Sequence, residues 1–296
     1  MERKQASDFD QELLNLFDKY VHGDIDRRGF LERAAKFAVG GVTALMLLDT
    51  LNPRFAEAQQ VPKDDKRLTT STLEFDSPKG TGKVKGYFAR PASAKGKLPG
   101  VLVIHENRGL NPHIEDIARR IALEGYDAFA PDALTVSGGY PGDEDKAREA
   151  FGKLDQDKAR EDFIAAFAFL KSRPDCTGKI GVVGFCWGGG MTNKLAVAIP
   201  EVAAAVPFYG AQPKAEDVAK IKAPMLINYA DKDDRINAGI PAFEEALKAN
   251  KVKYQLFKYD GTQHGFNNDT TPRYDKAAAT QAWKRTMDFF KKNLKG

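Results

Sequence analysis

The sequence predicts an α/β fold with a mainly parallel central sheet and helices on both faces. Two observations carry this expectation. Short continuous apolar runs recur at 101–104, 180–183 and 225–227, as expected of strands covered on both faces. Between them lie longer stretches with apolar residues at helical spacing, and strand–helix alternation of this kind closes into right-handed crossovers.

Taken in order, residues 73–75 and 83–89 read as an opening hairpin around Pro78-Lys79-Gly80. Asn111-Pro112 starts a helix, because Asn caps and Pro suits the first turn. Ile114, Ile117, Ala118, Ile121 and Ala122 share one face of that helix and Gly125 ends it. A strand at 127–130, a Gly- and Pro-containing loop at 134–142 and helical sequence at 143–171 follow. After the strand at 180–184 come a helix (189–198), strands (203–208 and 225–230), a helix (240–249), a last strand (254–259) and a closing helix (274–293).

The chain of 296 residues has 42% apolar and 29% charged residues, an ordinary globular composition. The formal charge is +4 for the whole chain and +6 without residues 1–58, where 37 basic and 31 acidic residues remain, and that surplus is spread without a basic cluster, which does not favour nucleic acid as a partner. Residues 1–58 read as an export leader: Arg27-Arg28-Gly29-Phe30-Leu31 precedes an apolar run at 34–48, and Ala56-Glu57-Ala58 has a small-x-small cleavage pattern. Paired arginines resemble a twin-arginine signal, so a periplasmic or secreted location and the export machinery as a partner are expected, or the cytoplasm if the leader is not used. The alternative is an amphipathic helix packed on the domain. The apolar run is too short and too glycine-rich for a membrane span. Residues 59–70 read as a linker and 71–296 as one domain.

The chemistry concentrates in Gly184-Phe185-Cys186-Trp187-Gly188-Gly189-Gly190. This is G-x-C-x-G between a strand and a helix, the cysteine version of a nucleophile elbow. The strained turn demands small residues two positions either side of the nucleophile. The helix N-terminus favours the thiolate, and the backbone N–H of Trp187 is free to face an oxyanion. Cys176, the other cysteine, reads as a bland loop or core residue, and two cysteines make no disulfide framework.

The order nucleophile, acid, histidine belongs to the α/β-hydrolases. Three aspartates compete for the acid after the strand at 225–230: Asp231, Asp233 and Asp234. The usual spacing, a small residue three before and an apolar residue three after, is met by Ala230, Asp233 and Ile236. Of four histidines only His264, followed by Gly265, lies downstream in the loop after the last strand; His22 falls in the leader, and His105 and His113 precede the nucleophile. His264 would then take the thiol proton and later activate water, with Asp233 orienting it.

Ile104-His105-Glu106-Asn107, Ala130-Pro131-Asp132, the elbow, Asp233 and His264-Gly265-Phe266 together resemble dienelactone hydrolase (carboxymethylenebutenolidase) over about residues 70–295. The resemblance implies hydrolysis of a lactone or small ester through an acyl-cysteine, with no cofactor. It implies that Glu106 pairs with Cys186 and holds the resting sulfur as a thiol, and that the backbone N–H of Asn107 is the second oxyanion donor. Arg108 is a candidate either for an anionic substrate or for a surface salt bridge. The family's arginines that grip a substrate carboxylate are replaced by Val136 and Asn268, with Arg273 the nearest substitute. No metal-ligand spacing and no phosphate-binding glycine loop stand out. The competing readings are acyl transfer, and a non-catalytic binding protein on the same scaffold.

Overall fold

A computed structural model describes residues 4–296; the first three residues of the expected leader lie outside the described residues. Its centre is an eight-stranded sheet of β1 (Leu68–Ser77), β2 (Gly82–Pro91), β3 (Leu98–Ile104), β4 (Asp127–Pro131), β5 (Cys176–Phe185), β6 (Ala204–Phe208), β7 (Met225–Lys232) and β8 (Tyr254–Gln263). The order is β1-β2-β4-β3-β5-β6-β7-β8. The pairs β1–β2 and β2–β4 are antiparallel and the rest parallel, so the expected fold class is observed. The apolar runs do what they predict: Val101, Leu102, Val103 and Ile104 are all fully buried.

The domain's longer helices are α5 (Pro112–Leu123), α6 (Glu144–Gly152), α7 (Gln156–Ser172), α8 (Trp187–Ala198), α10 (Ile240–Ala249) and α11 (Lys276–Phe290), with a single turn, α9, at Asp234–Asn237. Two apolar cores form, one on each sheet face. Phe163, Leu170, Leu195 and Leu247 bring α7, α8 and α10 onto one face, while Ile114, Ile117, Ala282 and Phe290 bring α5 and α11 onto the other. Asn111 caps α5 by accepting from the Ile114 N–H, as its position predicts.

Several boundaries differ from expectation. The opening hairpin is much longer, because residues 68–72 and 76–77 also pair in register with β2. The helical stretch at 143–171 breaks into α6 and α7, where Asp155 caps a new start by accepting from Asp157 and Lys158 N–H. The strand leading to the elbow begins at Cys176, which is buried core. Part of the expected linker is pinned: the Val61 N–H donates to Asp116 and its carbonyl accepts from the fully buried Arg119 at 2.8 Å.

The N-terminal residues form α1 (Gln11–His22), α2 (Arg27–Ala34), α3 (Ala44–Leu51) and α4 (Phe55–Ala58). The first three helices share a separate apolar core of Leu13, Leu14, Phe17, Tyr20, Phe30, Leu48 and Leu51. Of the two arginines, Arg27 reaches Asp145 at 2.6 Å and Arg28 pairs with Glu32 at 2.8 Å. These helices touch the domain through α1 and Arg27. No helix among the described residues is long and apolar enough to cross a membrane.

Candidate active site

The elbow sits where β5, between β3 and β6, turns into α8. Cys186 has φ 55°, a left-handed conformation that an L-residue holds only under strong local constraint. The constraint is visible in the glycines. A Cβ on Gly184 would lie 2.1 Å from the Gly188 carbonyl oxygen, and one on Gly188 would lie 2.4 Å from that of Ile104. The Cys186 N–H donates to the Phe208 carbonyl at 3.1 Å. Strand, turn and helix are thus pressed together so that only glycine fits around the cysteine.

The acid and the base arrive from neighbouring strand ends. Asp233 follows β7 and His264 follows β8. His264 Nδ1 lies 2.6 Å from Asp233 Oδ2, and both side chains are buried. This fixes Nε2, which has no hydrogen-bond partner, as the atom free for chemistry. Asp231 instead accepts from Lys258 and the Gly261 N–H at the surface, and Asp234 is exposed, so of the three aspartates Asp233 is the one that lies against His264.

Burial pushes the Cys186 thiol pKa up, but the imidazoles of His264 and His22 outweigh this and lower it to about 6. Burial likewise pushes His264 down, and the opposing pull of Cys186 and Asp233 leaves it well above its ordinary value. Sulfur and imidazole therefore favour the ion pair, the form in which a cysteine is nucleophilic.

The remaining expected residues are placed as follows. Trp187 is the first residue of α8, where an N–H has no intrahelical acceptor. Its indole donates to Gln156 at 2.8 Å and stacks on His105 at 5.4 Å. Asn107 lines the same cavity as Cys186, a cleft of about 990 Å³ that runs past Trp187 and Tyr209 to Lys214 and Lys220. Arg108 is buried, not a surface residue, and its guanidinium donates to the Val21 carbonyl from both Nη atoms at 3.2 Å. Arg273, also buried, donates to Asp18 at 3.1 Å.

Two expectations need correcting. Glu106 is not hydrogen-bonded to Cys186: its Oε2 accepts from Asn268 Nδ2 at 2.7 Å. Val136 is exposed and offers no charge. The second correction is His22. Its Nε2 lies 3.3 Å from Cys186 Sγ, and its Nδ1 meets the Asp18 carbonyl at 2.8 Å. The exposed Arg235 also reaches that Nε2, at 2.9 Å. Arg235 can only donate, so its contact needs Nε2 bare, whereas a thiolate favours a proton there. The buried sulfur outweighs the solvated guanidinium, and His22 is raised to about 8: burial lowers it, but Cys186 and Asp18 outweigh that.

His22, Cys186 and His264 hold their ligand atoms within 4.8 Å of one another. Sequence spacing does not reveal this metal-competent trio, because its members are far apart in the chain. Tyr209 was also missed. It is buried with φ 35° and its ring lies 5.0 Å from that of His264. No local motif marks either residue.

Residues 84–294 match the dienelactone hydrolase family, and residues 1–36 match a second family, described as YqhI-like. A protein of Escherichia coli strain K12 named "Putative carboxymethylenebutenolidase" is 34% identical over 220 residues, covering 69% of this chain and 81% of its own. From the same organism, "Putative hydrolase fragment YghX" is 51% identical over 114 residues, 38% of this chain and 97% of its own. A crystal structure titled as a putative dienelactone hydrolase from Klebsiella pneumoniae superposes with TM-score 0.67 at 28% identity, covering 75% of this chain and 98% of that one. With the elbow at the end of a central parallel strand and the family match spanning most of the domain, the chain belongs to the dienelactone hydrolase family and is a hydrolase of the carboxylic ester type.

Proposed function

We propose that the protein hydrolyses a lactone or small carboxylic ester through a covalent acyl-cysteine. The Cys186 thiolate attacks the carbonyl carbon, and the carbonyl π electrons move onto oxygen. Backbone N–H groups of Trp187 and Asn107 receive that oxyanion. The intermediate collapses as the C–O bond to the leaving group breaks, and His264 Nε2–H protonates the departing oxygen. In the second half His264 takes a proton from water, the hydroxide attacks the thioester, and carboxylic acid and thiolate are released with the imidazole protonated again. Asp233 keeps Nδ1 protonated throughout. Arg108 and Arg273 are the cations available to an anionic substituent.

The observation that carries this reading is the Asp233–His264 contact of 2.6 Å facing a cysteine held at φ 55° on a helix N-terminus. It is tested by hydrolysis of a chromogenic ester. Cys186→Ala is expected to lower kcat/KM by about 10³-fold or more. A variant that keeps more than a tenth of the activity contradicts the cysteine mechanism.

A further inference from the structure

The geometry points to α1 as a tethered occupant of the substrate site, one that must leave for Cys186 to work at full rate. The inference rests on the reading above for the identity of the site, but not for its readout.

Arg273, Arg108, the Asn107 side chain and Cys186 all have partners from α1. The Asp18 carboxylate sits on Arg273 at 3.1 Å. The Val21 carbonyl accepts from Asn107 Nδ2 at 2.8 Å and from both Nη atoms of Arg108. The His22 imidazole meets the sulfur at 3.3 Å and packs edge-on against His264 with ring centroids 4.8 Å apart. A carboxylate on an arginine, a carbonyl on the donors beside the oxyanion position and a group against the nucleophile together imitate a bound acidic carbonyl compound.

The helix is built to hold this pose. Asp10 caps its start and Gly23, in the left-handed region at φ 85°, stops it directly after His22. The imidazole therefore stands at the helix C-terminus, where the macrodipole favours a cation facing the thiolate. Leu13, Leu14, Phe17 and Tyr20 join the three-helix core, while Gln11, Asp18 and His22 face the domain and the Phe17 and Tyr20 rings also meet Arg273 and Arg148 at its edge. Gln11 and Gln263 exchange amide hydrogen bonds at 2.6 and 3.0 Å. Tyr20 hydrogen-bonds Asp145 and lies under the Arg148 guanidinium at 4.1 Å. The contact surface is largely polar and ionic while the helix's own core is separate, as expected of a segment that docks and undocks as a unit. Because it is tethered, the occupant acts at a high effective concentration that dilution does not change.

The test uses the full chain. Labelling of Cys186 by iodoacetamide is followed by mass spectrometry of its peptide, with buried Cys176 as the reference for general unfolding, and ester hydrolysis is measured alongside. Asp18→Ala removes the carboxylate from Arg273 and also from beside His22, which by itself slows labelling; Phe30→Asp breaks the three-helix core and leaves Asp18 and His22 in place. If the docked form dominates, freeing the site raises the labelling rate in proportion to the open fraction gained, by about tenfold or more. A rise in either variant with Cys176 still protected sustains the inference. Unchanged or slower Cys186 labelling in both overturns it and makes α1 a permanent wall of the site. If Cys186→Ala retained hydrolysis while labelling still rose, the catalytic reading would fail and the docking would stand.

Discussion

The two regions that meet at Cys186 are organised by opposite means. On the domain side the elbow is fixed by backbone: Gly184 and Gly188 are glycines because carbonyl oxygens stand where a Cβ would go, and the cysteine has one conformation open to it. On the N-terminal side the backbone contributes little, the Arg54 N–H donating to the Thr270 carbonyl and the Val21 carbonyl accepting from Asn107 and Arg108. Asp18, Val21 and His22 reach the site through side-chain and carbonyl contacts at the end of an otherwise self-contained helix cluster. The first arrangement fixes the backbone of the cysteine, and the second consists of contacts that the helix cluster's own core does not need. On the reading proposed above, the acid, the base and the sulfur belong to the domain, and the N-terminal helices govern access to them.

That contrast is sharpened first by Asp233→Asn. It keeps the shape but lets His264 adopt the wrong tautomer, and kcat is expected to fall by about 10²–10⁴-fold, measured on the chromogenic ester with the fold checked by circular dichroism. A loss under threefold would break the assignment of the domain side. A smaller effect lies in the pH profile of Cys186 alkylation. The thiol, lowered to about 6, is ionised above that pH and protonated below it, so the rate should rise through a midpoint near 6. His22→Ala removes one of the two cations facing the sulfur and should move the midpoint upward. Glu106→Gln, whose carboxylate is taken by Asn268, should leave it in place. A midpoint that moves in Glu106→Gln but not in His22→Ala would restore the thiol-holding role to Glu106.

What was legible in the sequence follows the same division. The elbow and Asp233 are readable because each follows an apolar run and sits among neighbours of fixed spacing; His264 follows a strand of mixed polarity, Tyr254–Gln263, and is picked out by chain order. Arg108 was legible as a residue but not as a buried one, since its partner, the Val21 carbonyl, is 87 positions away. His22 carries no local signal at all. The stretch around Arg27-Arg28 and the apolar run has the pattern of an export leader, and the same residues at helical spacing are those that pack α1, α2 and α3 together. Periodicity shows that such a helix has a buried side, yet does not show what its polar side will touch. Glu106 teaches the converse: a motif residue is in place, but its carboxylate accepts from Asn268, 162 positions away, which no local spacing shows.

The central claim, that Cys186 carries the acyl group during turnover, is tested most directly by acid-quenching the full-length protein during hydrolysis of an activated ester and weighing the peptide that holds residue 186. An acyl mass is expected on that peptide during turnover, and it is expected to disappear once substrate is consumed. Steady hydrolysis with no acyl group on Cys186 at any time, under conditions where hydrolysis of the intermediate limits the rate, would contradict it.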